Sequence, residues 1–203
     1  IKINFLTTKE NKKESIVGAR GFYWSLKNHE IDINCFEDVD SIIHLAGSSI
    51  SSRWTSKNKS EIINSRINAT KLLKKGLNNL GKKRIRTIIC ASAIGIYPNS
   101  LTEEYDENSD IIEENFLQKV VVKWEKELKH LSFFTNNLSI LRIGLVLSPY
   151  GGFLSKLFKP IKFFLGSAFD SGKQWQSWIH ISDLVKLIIF CLKNEIDGVF
   201  NAV

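Results

Sequence analysis

Three long apolar runs, each followed by small or turn-forming residues, constrain the fold of this 203-residue chain more than any other feature. The runs are VDSIIHLAG at 39–47, RIRTIICAS at 84–92 and LSILRIGLVL at 138–147. Near-continuous apolar runs of this length are typical of strands that are buried on both faces of a parallel sheet. The sequence therefore predicts three central strands that lie side by side.

Helical patterns separate these runs. Apolar residues recur at helical spacing over 57–80, where Gly81 follows as a stop signal, and again over 117–131. Two short strands, over 1–7 and 21–24, are predicted before the first run. Strands that alternate with helices and long loops predict an α/β fold with a doubly wound parallel sheet. Ligands of such sheets bind beyond the carboxyl ends of the strands.

Composition narrows the class of protein. An apolar fraction of 43% and a charged fraction of 24% are ordinary for a globular protein, which favours a single domain over 1–203. No apolar run approaches the roughly 20 residues that span a bilayer, and no stretch has a signal-peptide pattern. We therefore expect a cytoplasmic protein with no membrane partner.

Cys35, Cys90 and Cys191 are far apart and lack metal-ligand spacing, which predicts buried, reduced thiols and no metal site.

The net charge of +7 raises the question of nucleic-acid binding. Many of the basic residues lie between Lys71 and Arg86, where they punctuate an amphipathic helix and its exit loop. Such a distribution is typical of a solvated helix face, so we expect no nucleic-acid partner. The sequence also contains no methionine, so we expect it to be part of a longer polypeptide.

The order of motifs along the chain is more specific than any single motif. In order, they are VDSIIHLAGSSISSRWT, EIINSRINATKLL, ASAIGIYP, FLQKVVVKWEKEL, LRIGLVLSPYGG and GSAFDSGKQWQSWIHISDLV. Together they resemble the extended short-chain dehydrogenase/reductase superfamily, and in particular its atypical epimerase-like branch of NAD-dependent epimerase/dehydratase-like proteins. The resemblance runs over essentially the whole chain.

The resemblance implies a Rossmann-type sheet that binds NADP, with NAD as the alternative cofactor. Members of this branch begin with a strand and a glycine-rich loop that holds the pyrophosphate at a helix N-terminus. Residues 1–7 align with the second strand of the family. We therefore expect an incomplete domain, with the first strand and glycine-rich loop missing before Ile1 and a small segment missing after Val203.

The end of that second strand bears on the choice of cofactor. An acidic residue there would accept the ribose hydroxyls of NAD, whereas basic or hydroxyl residues tolerate the 2′-phosphate of NADP. Thr7, Thr8 and Lys9 include no acid. The branch usually has arginine at the position of Thr8, so Lys9 is the substitute that we expect to contact the phosphate.

The resemblance implies further cofactor contacts from the strand ends and from the first long helix. They are the backbone of Leu45, Ala46 and Gly47, the side chains of Glu61 and Arg66, and Val146 near the nicotinamide. From the residues alone, Glu61 and Arg66 would be assigned to solvent, because a spacing of five does not put them on one helical stripe.

Substrate contacts have two readings each. Arg53 and Trp54 follow the first apolar run, where they either line the active-site cleft or form a loop whose aromatic residue closes the edge of the core. Gln174 and Trp178 lie in a segment that lines the substrate cleft of sugar-nucleotide epimerases. For Trp178, the alternative is a place in the core.

The superfamily transfers protons with a serine and a tyrosine whose pKa is lowered by a lysine four residues later. With Glu125 as the anchor of the alignment, Leu117 stands at the tyrosine position and Val121 at the lysine position. The serine position falls on Ala93, one residue after Ser92. The tyrosine and lysine are therefore absent by sequence.

Two hypotheses of different class follow. In the first, the protein is an NAD(P)-dependent oxidoreductase or epimerase acting on a small molecule, possible substrates including a nucleotide sugar. Ser92, Tyr97 and His180 are then the candidate proton-transfer residues, and Arg142 either orients the substrate or pairs with an acid. In the second, the protein is a catalytically silent NADP(H)-binding sensor or partner-binding protein. His180 also has a local alternative, as a hydrogen-bonding residue at a helix start that Ser182 or Asp183 would cap.

Overall fold

Strands and helices alternate along the computed structural model, which describes residues 1–81, 84–111, 115–152, 154, 158, 161–164, 166 and 171–203. The strands of these ranges are β1 (Ile3–Thr7), β2 (Ala19–Ser25), β3 (Glu30–Ile31), β4 (Ser41–His44), β5 (Ile85–Ala93), β6 (Thr135–Ile143), β7 (Leu145–Ser148), β8 (Trp178–His180) and β9 (Gly198–Ala202). The helices are α1 (Ser56–Asn78), α2 (Phe116–Lys129) and α3 (Ile181–Lys193).

The centre of the fold is a four-stranded parallel sheet in the order β4-β5-β6-β9. His44 pairs in register with Cys90, and Ser92 pairs with Arg142. The predicted α/β class and the three adjacent central strands are thereby confirmed. All four strands run in the same direction, so their carboxyl ends lie at one edge of the sheet.

A second sheet contains the strands that precede β4. In it β1 pairs in parallel with β2, and β2 pairs antiparallel with β3. Within the described ranges, β1 and β4 each have a hydrogen-bonded neighbour on one side only. The further strand expected before residue 1 stays a prediction.

Helices cover both faces of the central sheet. On one face Ile88 and Cys90 of β5 pack with the α1 and α2 side chains Leu77 and Leu128. On the other face Ile89 packs with residues of α3. Successive side chains of a strand point to opposite faces, so covering both faces requires the near-continuous apolar runs of the sequence.

The third apolar run forms two strands rather than the single strand that the sequence predicts. The chain leaves the central sheet at Gly144, whose N–H donates to the carbonyl of Ala202, and Leu145 then donates to Ser177. A Cβ atom at Gly144 would lie 2.8 Å from the Ser177 carbonyl oxygen. Glycine therefore allows β7 to turn away and pair with β8.

The start of α3 confirms the local hydrogen-bonding role expected for His180 and contradicts the cap expected from Ser182 or Asp183. The helix is capped by His180, whose Nδ1 accepts from the Ser182 N–H at 3.3 Å, and not by Ser182 or Asp183. Histidine is not among the preferred N-cap residues, so sequence rules pass over it. Its ring nitrogen supplies the same kind of acceptor as a serine or aspartate oxygen.

All three cysteines are buried and unpaired in the described structure, as the sequence predicts. Burial is the main cause that raises the pKa of the Cys35 thiol to about 12, and it also raises the pKa of Cys90 and Cys191. Such thiols are poor nucleophiles near neutral pH. None of the helices in the described ranges is long and apolar enough to cross a bilayer.

His44, the last residue of β4, makes the stability of the fold depend on pH. Its Nε2 lies 3.1 Å from Thr70 Oγ1, and burial lowers its pKa from the ordinary 6.5 to about 4. Below pH 6.5 the unfolded chain gains a proton here that the folded chain does not bind. We expect this residue to lower the free energy of unfolding by up to about 3 kcal/mol between pH 6.5 and 4.

Urea unfolding at several pH values tests this expectation. His44→Gln keeps an amide N–H for Thr70 but does not titrate, so its loss of stability toward pH 4 should be smaller than that of the unchanged chain. The carboxylates contribute equally to both curves. Parallel curves for the two proteins would contradict the assignment.

Candidate functional site

The carboxyl edge of the central sheet brings most of the candidate residues together. Leu45, Ala46 and Gly47 follow β4, and Ser92 lies near the end of β5. The side chain of Leu45 is 58% exposed. Where strands end at a common edge, exposed backbone groups and short side chains leave room for a ligand.

Arg66, on α1, contacts the residues that directly follow β4. Its Nη1 donates to the carbonyls of Ser48 and Ile62 at 3.1 and 3.0 Å, and its guanidinium stacks over the Trp124 ring at 5.0 Å. Burial lowers its pKa. The residues alone assigned Arg66 to solvent, and that reading is wrong because the side chain turns inward between α1 and α2.

Gly47 is the position at which Arg66 meets the strand end. A Cβ atom at Gly47 would lie 3.2 Å from the Arg66 side chain, so a larger residue would crowd it. Glu61, the other charged residue expected on this helix, is exposed. The two residues therefore occupy different environments although both lie on α1.

The end of β1 presents basic and hydroxyl groups. Thr7 Oγ1 accepts from the Lys9 N–H at 3.3 Å, which turns the chain sharply after the strand. Thr8 and Lys9 are exposed in this turn. The turn contains no acid.

A buried ion pair joins α2 to β6 at the same edge. Glu125 and Arg142 are 4% and 6% exposed. Arg142 Nε and Nη2 donate to the two carboxylate oxygens of Glu125, each at 3.0 Å. Burial alone would lower the pKa of Arg142, but hydrogen bonds with Glu125 and Tyr97 raise it above its ordinary value. Of the two roles expected for Arg142, pairing with an acid is the one observed.

Ser92 and Tyr97 both belong to this network. Ser92 Oγ donates to Glu125 Oε1 at 2.6 Å, so its single proton is already engaged. Tyr97 Oη accepts from Arg142 Nη1 and donates to Asn201 Oδ1, both at 2.8 Å. The structure therefore brings these two candidates together through one ion pair.

The same network holds the acidic loop, residues 98–111, against the sheet. Arg142 Nη1 donates to the carbonyl of Glu107 at 3.4 Å. The backbone N–H of Asn201, in β9, donates to the Glu107 carboxylate at 2.5 Å. Two strands of the sheet thus fix one end of the loop at the carboxyl edge.

The positions expected from the resemblance to align with the superfamily's tyrosine and lysine hold the apolar residues Leu117 and Val121. A Cβ atom at Gly95 would lie 3.6 Å from Leu117 Cβ, which places Leu117 against the turn that follows β5. Val121 is buried. Lys119 and Lys123 are exposed, as the sequence predicts. Neither Leu117 nor Val121 carries a group that can transfer a proton.

His180 stands apart from the ion-pair network in the described structure. In the register of β7 with β8, Val146 pairs with Ile179 and Leu147 with His180. His180 Nδ1 is engaged by Ser182, at 3.3 Å from its N–H and 2.7 Å from its Oγ. His180 therefore shares a face of this strand pair with Leu147, whereas Val146, expected at the nicotinamide end, lies on the other face with Ile179.

The remaining substrate candidates are exposed. Trp178 is 55% exposed, so its alternative place in the core is wrong. Gln174 is exposed in the segment before β8. Arg53 is exposed and Trp54 is 44% exposed, in the loop between β4 and α1. Within the described ranges no three His, Cys, Asp or Glu residues are grouped as metal ligands.

Glu125 is a residue of the site that the sequence did not predict, since it served only as the anchor of the alignment. A signal was present, because Glu125 falls four residues after Val121 and three before Leu128, on the buried stripe of α2. A buried carboxylate needs a partner. Arg142, the basic residue inside the third apolar run, was the matching signal.

Comparison with known proteins finds relatives along most of the chain. The model of the NAD-dependent epimerase/dehydratase family matches residues 5–202. An epimerase family protein of Staphylococcus saprophyticus is 38% identical over 179 residues, which are 88% of this chain and 59% of that protein. Epimerase family protein YfhF of Bacillus subtilis is 38% identical over 164 residues, 80% of this chain and 54% of that protein. The chain thus spans little more than half the length of these curated relatives.

Solved structures share the fold. The human epimerase family protein SDR39U1, solved with NADPH, has a TM-score of 0.78 at 25% identity and covers 100% of this chain and 74% of its own. A UDP-glucuronic acid 4-epimerase of Bacillus cereus, solved with NAD, has a TM-score of 0.73 at 18% identity, covering 94% of this chain and 62% of its own. The second likeness shows the fold alone. The Rossmann-type fold is confirmed.

We expect loss of either charge of the ion pair to destabilise the chain strongly. Arg142→Met leaves the Glu125 carboxylate buried without its cation and should lower the free energy of unfolding by about 3–5 kcal/mol. The double variant Arg142→Met with Glu125→Leu should recover part of that loss, because no charge is left buried. Urea denaturation measures both.

The exposed pair of Lys186 and Asp183, 3.2 Å apart, provides the control. Lys186→Met should cost less than about 1 kcal/mol, because solvent screens exposed pairs. An equally small effect of Arg142→Met would show that the network does not stabilise the edge.

Proposed function

The chain belongs to the NAD-dependent epimerase/dehydratase family, and from this premise we propose that the whole protein is an NADP(H)-dependent oxidoreductase or epimerase. The carboxyl edge of the sheet is the observation that carries the proposal. Leu45 and Gly47 are exposed directly after β4, and the small side chains of Ala46 and Gly47 leave room for a dinucleotide that lies close to the strand ends. The relative solved with NADPH supports the same cofactor class.

Residues of this chain fit the two ends of the cofactor. Thr7, Thr8 and Lys9 surround the end of β1, where the adenosine ribose would lie. Val146, in β7, would contact the nicotinamide. Residues 1–203 contain no glycine-rich loop of the kind that holds the pyrophosphate in this family. When bound, the cofactor accepts or donates a hydride.

We favour NADP over NAD because of the turn after β1. The 2′-phosphate of NADP is a dianion near neutral pH, and the exposed ammonium of Lys9 would attract it. A carboxylate at the same place would instead bind the ribose hydroxyls of NAD and repel the phosphate. The absence of an acid from 7–9 and the presence of Lys9 both support NADP.

Oxidation of a hydroxyl carbon requires one group to take the hydroxyl proton while the hydride leaves. Tyr97 and His180 are the candidates whose protons are not bound to a carboxylate. Nδ1 of His180 lies 2.7 Å from Ser182 Oγ, to which Nδ1–H can donate when the ring is protonated. The protonated ring would give its Nε2 proton to the substrate in the reducing direction, and the neutral ring would take the hydroxyl proton on Nε2 in the oxidising direction. A nucleotide sugar is the substrate class that the family suggests.

A second candidate function is a catalytically silent NADP(H)-binding sensor. The observations in its favour are that Leu117 and Val121, at the positions that the resemblance aligns with the proton-transfer pair, are apolar, and that the Ser92 hydroxyl donates its hydrogen bond to Glu125. Such a protein would bind cofactor through the same residues and turn nothing over. Both functions require cofactor binding, and only the enzyme also converts a substrate into a product.

Cofactor titration tests the proposal. The whole protein should enhance and blue-shift NADPH fluorescence, and it should bind NADPH at least about tenfold more tightly than NADH. Lys9→Glu should reverse this order, because a carboxylate repels the 2′-phosphate. Lys2→Glu makes the same charge change at the other end of β1 and should leave the preference intact. Equal binding of both cofactors by all three proteins would refute the assignment of Lys9.

Assays with carbonyl compounds and nucleotide sugars then separate the two functions. Turnover that His180→Gln or Tyr97→Phe reduces at least about a hundredfold, with NADPH affinity unchanged, supports the enzyme. NADPH binding without turnover of any tested substrate supports the sensor.

A further inference from the structure

The helix layer that α1 and α2 form carries charge mainly of one sign. α1 contains six basic residues and one acid, and α2 contains four basic residues and two acids, so the layer has a net charge of +7. This equals the net charge of the whole chain, and all other residues together are neutral. The helices pack side by side, where Lys74 Nζ of α1 donates to Glu127 Oε1 of α2 at 3.0 Å. The basic residues of 71–86 alone predicted a solvated helix face, but the structure adds the lysines of α2 to the same surface.

Most cations of this layer have no carboxylate partner. The buried acid Glu125 pairs with Arg142. Glu127 pairs with Lys74, and Glu61 is exposed. Within the described ranges, the salt bridges include none of the other lysines of the two helices. These eight lysines, which we call the basic face, are Lys57, Lys59, Lys71, Lys75, Lys119, Lys123, Lys126 and Lys129. The layer therefore presents eight unpaired ammonium groups beside one exposed carboxylate.

Helix stability does not explain this excess of lysine. Lys57 and Lys119 stand in the first turns of α1 and α2, where the helix dipole disfavours cations and where neither helix has an acid. Lys119, Lys123 and Lys126 follow one another at spacings of four and three, and like charges at these spacings destabilise a helix. A helix face that contacts only solvent more often alternates charges of both signs. Lysines in the last turns do complement the dipole, but those of the first turns indicate a ligand of negative charge.

The exposed residues of this layer include no large apolar side chain. Over α1 and α2, which the structure describes in full, the exposed residues are lysines, serines, asparagines and Glu61. A helix that binds a membrane surface inserts large apolar side chains, and the centre of a protein–protein interface is apolar and depleted in lysine. Neither kind of partner matches this composition. An array of phosphates does match it, because ammonium groups bind phosphates without apolar contact.

The same two helices also lack exposed groups that read bases or stack on them. Trp124 is buried, and Arg66, the one arginine of the two helices, turns inward. The Phe116 ring centroid has the Lys59 ammonium at 5.2 Å and the Trp54 ring at 5.3 Å. Single strands are held largely by stacking on aromatic rings, and bases are read by forked donors such as arginine. The partner that remains is a duplex whose backbone is bound and whose sequence is not read.

We propose that the basic face binds the phosphate backbone of a nucleic-acid duplex without reading its sequence. A duplex carries a negative charge about every 1.7 Å along its axis, and Lys119 to Lys126 cover about 10 Å of α2, so several phosphates come within reach of one helix. Each lysine that neutralises a phosphate releases a counterion, and this release favours binding. The inference goes beyond the proposed function and does not depend on it, since none of the eight lysines is a cofactor or proton-transfer candidate.

Fluorescence anisotropy with the whole protein tests the proposal. The probes are two short DNA duplexes of unrelated sequence, an RNA duplex, a single DNA strand, polyglutamate, and vesicles of phosphatidylserine and phosphatidylcholine. The two DNA duplexes should bind equally, and more tightly than the single strand, polyglutamate or the vesicles. Contact with about four phosphates should weaken DNA binding about a hundredfold between about 50 and 200 mM salt. The RNA duplex shows which of the two backbones the basic face prefers.

A matched pair of double variants locates the binding surface. Lys119→Gln with Lys123→Gln removes two charges of the basic face. It should weaken duplex binding about tenfold and reduce the slope of log affinity against log salt by about 2. Lys186→Gln with Lys193→Gln makes the same charge change on α3, which covers the other face of the sheet, and should leave binding almost unchanged. Lys119→Arg with Lys123→Arg keeps both charges and should retain the affinity.

Each other outcome overturns the proposal. Equal weakening by the two glutamine variants would show that net charge acts without a defined surface. Tighter binding of polyglutamate would indicate an acidic protein partner, tighter binding of the vesicles a membrane, and tighter binding of the single strand a different nucleic-acid form. Absence of duplex binding at low salt would leave the basic face without this function.

The proposed function is tested separately on the same proteins. NADPH affinity should be the same in all of these variants, so loss of duplex binding leaves the cofactor assignment standing. Failure of NADPH to bind, with lysine-dependent duplex binding intact, would overturn the cofactor assignment alone. Melting curves exclude unfolding as the cause of any loss, since removal of like charges should not destabilise α2.

Discussion

The ion pair between Glu125 and Arg142 is the interaction on which the carboxyl edge of the sheet depends. Two charges are buried there at a cost that their bidentate contact and their further hydrogen bonds offset. Through Ser92, Tyr97 and Asn201 the pair connects α2 with the ends of three neighbouring strands. An edge that would otherwise consist of separate loops is thereby fixed in one geometry, which is what a ligand-binding surface requires.

The central fold was predictable because burial on both faces leaves a strong mark in the sequence. The three apolar runs and the two helical patterns between them correspond to β4, β5, β6, α1 and α2. The break at Gly144 was not predictable, since the run continues through it with apolar residues on both sides. The bend depends on hydrogen bonds to Ala202 and Ser177, which are distant in sequence and give no local signal.

The candidate site was predictable in position but less so in role. Ser92 and Tyr97 do lie together at the expected edge, yet their hydroxyls serve an ion pair that composition and spacing do not reveal. The residues alone predicted that Arg66 faces solvent, because helical spacing gives the direction in which a side chain leaves its Cα atom. A long arginine side chain can still turn inward toward carbonyl acceptors, as Arg66 does. The core alternative for Trp178 was wrong, although aromatic residues are usually buried, because the local pattern does not give its exposure.

If Leu117 and Val121 stand where the superfamily has its tyrosine and lysine, any proton transfer takes place at the rim of the site. A charged group beside these apolar side chains would lose hydration without gaining a partner, so its pKa would shift against the charged form. Groups that exchange protons with a substrate must therefore stand where water or hydrogen-bonding neighbours remain. His180, held through Nδ1 with Nε2 unengaged by the described residues, satisfies this condition, and Tyr97 satisfies it through Arg142 and Asn201.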